Sequence, residues 1–152
     1  MNVRILLVIC VLGAACSSRP PETPAKKAPV AKPADESRRF PAKNRVRIEL
    51  VDEKMLGRDF LPGGNLAEYQ RNGKSYRQFL VAAPTAQKAA LLLFDFKNTL
   101  TNPKYLAHMG GYFGMDNDQP VYVFAKGVFV AGIVGLTEEE ADALAREFAV
   151  RL

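Results

Sequence analysis

The dipeptide Asn72-Gly73 constrains this chain most, because it stands between two β-like runs, Leu66 to Arg71 and Lys74 to Ala82. A two-residue hairpin turn needs positive φ at both central positions, and Asn-Gly tolerates that better than almost any other pair. The flanking runs are thereby committed to antiparallel pairing. Pro84 then sits where the first turn of a helix accepts proline, and Thr85 to about Asn98 reads as that helix. Its apolar set, Ala89, Leu92, Leu93, Phe96 and Leu100, follows the 3.6-residue period, with Leu91 and Phe94 widening the stripe expected to be buried.

The second half repeats this logic. Val121 to Ala125 and Val128 to Val134 are joined by Lys126-Gly127, read as another two-residue turn. Thr137 followed by Glu140 is a capping box, and acidic residues fill the first turn of the helix it opens. Ala141, Leu144, Ala145, Phe148 and Leu152 form one face of that helix. A short alternating strand, Val46 to Val51, and a turn-rich piece ending at Pro62-Gly63-Gly64-Asn65 precede the first hairpin. The expected fold of residues 46–152 is α+β and two-layered: hairpin–helix, connector, hairpin–helix, with both helices on one face of an antiparallel sheet.

That arrangement leaves an unusual strand pair. One face of the C-terminal hairpin holds Val121, Val123, Ala125, Val128, Val130 and Gly132, and the other holds Tyr122, Phe124, Phe129, Ala131 and Ile133. In a two-layer fold one face should be polar, yet both are apolar here. The second face must be covered by the Glu53–Pro62 segment or the connector around Tyr112 and Phe113. Otherwise Tyr122, Phe124, Phe129 and Ile133 form a partner surface, for an envelope protein or a second copy of the chain.

The amino terminus carries a different message. Arg4 is followed by an apolar run, Ile5 to Leu12, and then by Gly13-Ala14-Ala15-Cys16. This is the pattern of a secretory signal peptide with a small-residue cleavage site. The run to Ala15 is about half the ~20 residues that a spanning helix needs. Gly13-Ala14-Ala15-Cys16 resembles the lipobox of bacterial lipoproteins, although leucine is commonest where Gly13 stands. The resemblance implies removal of residues 1–15, lipidation of Cys16 and attachment to a membrane of the cell envelope. Ser17, in place of aspartate, implies the outer membrane, facing the periplasm. Cys10 and Cys16 are the only cysteines, so the folded part has no thiol for a disulfide, a thiolate metal site or a nucleophile.

Residues 16–45 read as a disordered linker. Six prolines lie between Ser17 and Arg45, interleaved with alanine and lysine, and almost no large apolar residue appears before Phe40. The formal charge of +5 resides there: eight basic residues face three acidic ones, whereas residues 46–152 carry twelve basic and thirteen acidic side chains. The domain therefore has no compositional case for binding nucleic acid.

Catalytic chemistry is sparse. The one histidine, His108, lies before a glycine turn without a nearby serine or cysteine. Asp116-Asn117-Asp118 has the start of a calcium loop, but Val121 and Gly127 stand where glycine and glutamate are required. Gly110-Gly111 and Gly114 precede strand-like residues, not the helix that a phosphate cradle needs. No cofactor or metal site is expected. Leu61-Pro62-Gly63-Gly64-Asn65-Leu66-Ala67-Glu68-Tyr69, Gly110-Gly111-Tyr112-Phe113-Gly114 and Val123-Phe124-Ala125-Lys126-Gly127 together resemble a family of uncharacterised bacterial envelope proteins. That resemblance implies an envelope setting without catalytic residues. The expected role is a non-catalytic binding or assembly module. The alternatives are a periplasmic enzyme using Asp116 and Asp118, or a structural spacer.

Overall fold

The computed structural model describes residues 32–152. The apolar run, the cleavage site and Cys16 lie outside the described residues. Seven strands, β1 (Arg45–Glu53), β2 (Pro62–Arg71), β3 (Lys74–Ala82), β4 (Thr101–Leu106), β5 (Gly111–Asp116), β6 (Gln119–Lys126) and β7 (Phe129–Val134), form one sheet. Its order is β1-β2-β3-β7-β6-β5-β4. Every neighbouring pair is antiparallel. Helix α1 (Ala86–Thr99) follows β3, and α2 (Glu138–Ala149) follows β7. The α+β class, the antiparallel sheet and the two helices are as the residue patterns predict.

Local chemistry explains the turns and caps. Asn72 and Gly73 take φ of 51° and 76°, and Arg71 lies opposite Lys74. The second hairpin turns at Gly127-Val128, one residue later than expected, because Gly127 alone supplies positive φ and Lys126 pairs with Phe129. The register moves by two residues, so no side chain changes face. The Thr85 hydroxyl accepts from the Lys88 amide to cap α1. Thr137 and Glu140 close the capping box of α2.

Three larger expectations also require correction. The helices do not share a face. Ala89, Leu93, Phe96 and Leu100 of the α1 region pack with Phe79, Val81, Val121, Val123, Val130 and Val134. Ala141, Ala145 and Phe148 of α2 pack with Tyr69, Leu80, Tyr122, Phe124, Ala131 and Ile133. These strand residues alternate in sequence and so occupy opposite sides of the sheet. The doubly apolar hairpin is the cause, since each face must be removed from water and each receives its own helix.

It follows that Tyr122, Phe124, Phe129 and Ile133 are not a partner surface. Their exposures are 0%, 1%, 9% and 1%, beneath α2 and Phe40. Of the expected covers, Met55 and Leu61 of the Glu53–Pro62 segment are buried, but on the valine side with α1. Leu91 and Phe94, assigned to the buried stripe, are each 53% exposed on the far side of α1. The connector also holds more structure than expected, since β4 and β5 pair within it.

The third correction concerns the domain boundary. Residues 35–44, read as linker, belong to the packed unit. Phe40 is buried against Phe148, with ring centroids 4.9 Å apart. Asp35 and the Glu36 amide hold the buried side chain of Asn65, and the Pro41 carbonyl accepts from the Tyr69 hydroxyl at 2.9 Å. Arg39 lies over the Phe129 ring and donates to the carbonyl of Arg151 at 2.7 Å. One aromatic residue that finds a complementary slot outweighs a composition that otherwise favours disorder. No helix among the described residues is long and apolar enough to cross a membrane.

Candidate functional site

The most developed concavity runs between α2, the tip of the β2–β3 hairpin and residues 41–44. A recess of about 250 Å³ is lined by Pro41, Lys43, Asn44, Arg71, Tyr76, Gln78, Leu144 and Glu147. Beside it, sharing Arg71, Tyr76 and Leu144, lies a larger groove of about 590 Å³, which adds Lys74, Leu136, Glu139 and Glu140. The shared residues make the two one continuous trough. Tyr76 is held beneath it by stacking on Tyr69, at 5.1 Å between centroids and 9° between planes. Burial pushes the phenol of Tyr76 up from its ordinary value.

Gln78 is the anomaly of this site. It is 1% exposed, on the α2 side of β3 between Tyr76 and Leu80. Its carbonyl oxygen is buried and receives no hydrogen bond from the described residues. Buried side-chain amides are nearly always partnered, so this one marks a place where stability has been given up. Glu68, Gln70, Arg77 and Gln78 mix polar side chains into the strands of the β2–β3 hairpin. Gln78 instead projects into the core side, at the floor of the recess.

A second polar group surrounds Asp142 on α2. Its Oδ1 accepts from the Tyr122 hydroxyl at 2.6 Å and lies 2.5 Å from Nε2 of His108. Its Oδ2 accepts from Nε of Arg146 at 2.8 Å. Burial opposes the carboxylate charge, but the hydrogen bonds from Tyr122, His108 and Arg146 prevail and hold the group at about 2. Burial, and then the carboxylate itself, push the Tyr122 phenol up. This cluster pins the β4–β5 turn and β6 to α2. Both carboxylate oxygens are already engaged, so the geometry describes a clamp.

Asp116 and Asp118, the carboxylates of the enzyme alternative, do not converge. Asp118 and Asn117 form the β5–β6 turn with φ of 63° and 46°. Asp116 is paired with Arg58, and each side chain is only 16% exposed. The Arg58 guanidinium also lies over Phe96 at 5.2 Å, which fixes the 55–61 segment to this end of β5. Among the described residues no group of three or more His, Cys, Asp or Glu side chains is placed to hold a metal ion. No family model, curated protein or solved structure matches the chain.

Proposed function

We propose that this protein is a lipid-anchored module of the bacterial cell envelope that binds a partner and catalyses no reaction. The trough beside α2 carries the binding half of this reading. Its floor holds a buried amide carbonyl that no described protein group bonds, and its rim holds Lys43 and Arg71. The anchoring half is supported by the apolar run and Gly13-Ala14-Ala15-Cys16. Cys16 would carry the lipid, and the protein would face the periplasm from the outer membrane. The assignment against enzyme chemistry is supported by Asp116, which is committed to Arg58, and by Asp142, which is surrounded by donors.

Two measurements test the reading. Intact-mass analysis of the native product should give a chain that starts at Cys16 and carries acyl groups. A product retaining residues 1–15, or one without lipid, removes the address. Affinity capture from detergent-solubilised envelope, with Cys16→Ala as the unanchored control, should recover a stoichiometric partner. Deleting the folded part without consequence for the cell would instead support the spacer alternative.

A further inference from the structure

The sheet ends in two edge strands, β1 and β4, and they are finished differently. Strand β4 has six residues, with Asn102-Pro103 near its start and a register shift between Thr101 and Lys104. Proline removes a donor and the irregularity twists the strand, so this edge resists pairing. Strand β1 has nine residues and no proline, and its register with β2 runs unbroken from Arg47 to Glu53. Among the described residues, no backbone group outside β2 bonds the backbone of residues 46–53. Alternate N–H and C=O groups of β1 therefore point out of the sheet with nothing to pair them. The side chains along this edge divide by charge. Arg45 and Arg47 stand towards its N-terminal end, and Glu49, Asp52 and Glu53 towards its C-terminal end. Charged side chains on an edge keep many strands away, but this order repels a parallel copy and attracts an antiparallel one.

We propose that β1 is a dimer interface: the edge strands of two copies pair antiparallel about a two-fold axis at Leu50, joining the two sheets. Leu50 then faces Leu50 of the second copy, Glu49 faces Val51, Ile48 faces Asp52, and Arg47 faces Glu53. Arg47 engages Glu68 through Nη2 alone, at 2.8 Å, and its side chain is 57% exposed, so its other nitrogens can reach Glu53 of the second copy. The register is selected by what its neighbours would cost. An axis at Glu49 sets that carboxylate against itself, and an axis at Val51 sets Glu49 against Glu53. An axis at Ile48 carries the pairing into the irregularity between Arg45 and Arg47. The occupant is a second copy because β1 itself supplies the complementary charge order. Each copy spends its one open edge, so assembly closes at two. None of residues 47–53 lines the trough, so this interface goes beyond the binding-module reading and is independent of it.

The test is disulfide cross-linking of the full-length chain under mild oxidation, with the unsubstituted chain as the background from Cys10 and Cys16. Leu50→Cys should form a covalent dimer, because directly opposed residues of antiparallel strands lie about 4.5–5.5 Å apart at Cα, within disulfide reach. Tyr105→Cys, at a 59% exposed position on β4, should give no more dimer than the background. Ile48→Cys and Asp52→Cys should cross-link poorly alone, each being roughly 13–14 Å from its own copy, and should join when mixed. Adding Glu53→Arg to Leu50→Cys turns two attractive pairs into repulsive ones and should slow cross-linking about tenfold. Glu53 is exposed, so the reduced double variant should melt with Leu50→Cys, which separates lost pairing from lost folding. Cross-linking of Leu50→Cys no faster than that of Tyr105→Cys overturns the proposal. Faster cross-linking by Ile48→Cys alone than by Leu50→Cys also overturns it, because the axis then lies elsewhere. Should Leu50→Cys fail to fold, the mixture of Ile48→Cys and Asp52→Cys decides, and its failure to join overturns the proposal.

Discussion

Tyr122 buries its whole ring on the α2 side of the sheet and delivers its hydroxyl to Asp142. A hydrogen bond to an ionised acceptor is among the stronger single contacts in a fold, so Tyr122→Phe should destabilise by about 1.5–3 kcal/mol in urea unfolding. The carboxylate of Asp142 sets a pH dependence. Its folded-state value, about 2, lies below the ordinary 3.8. The stabilisation is therefore complete above the unfolded value and is lost as pH falls from there towards 2. Asp142→Asn should be less stable at neutral pH and should show a shallower acid limb than the wild type. Gly132 makes a packing prediction of the opposite kind. A Cβ there would meet the Phe79 ring, with Cζ at 2.7 Å, and the Tyr122 carbonyl at 2.7 Å. Gly132→Ala should lower stability by about 1–3 kcal/mol through overpacking in the middle of the sheet, read as a shift in urea midpoint.

At the level of elements, legibility followed how much each segment buries and how strictly its turns are specified. The β2–β3 hairpin was readable because Asn72-Gly73 leaves one turn geometry, and α2 because Thr137 and Glu140 announce its start. Thr137→Ala should cost about 1 kcal/mol, visible as a lower melting temperature. Strand β4 gave no pattern, since Leu106 is its only buried residue and Asn102 adopts φ of 51° beside Pro103. An edge strand with so little burial writes no alternation into the sequence, and its proline and bulge blunt it against pairing with other chains. The side of the sheet that each helix takes was also illegible, because Leu91 and Phe94 give the outer surface of α1 an apolar look. The trough could not be read from the sequence at all. Lys43, Arg71, Gln78 and Leu144 come from four separate segments, and Gln78 has the look of a solvent-facing strand residue.

At the level of the whole molecule, the sheet is enclosed by a different device on each side. Helix α1 with Met55 and Leu61 closes the valine side, while α2 with Phe40 closes the aromatic side. The second closure depends on residues ahead of β1. Phe40→Ala should therefore destabilise by about 3 kcal/mol, and a chain beginning at Val46 should melt well below one beginning at Lys32. If both truncations melt together, residues 35–44 contribute nothing and the boundary belongs at Val46. The Asn65 side chain, bonded to Asp35 and the Glu36 amide, strengthens this dependence from the β2 side.

The grip of Arg39 on the backbone of the last two residues has an architectural result. Residue 39 meets the backbone of residues 151 and 152 at one corner of this body, beside Phe129. A bulky fusion behind Leu152 would crowd Arg39 in that corner. The same cargo grafted into the Asn72-Gly73 bend, at the opposite end of the strands, would leave that contact untouched.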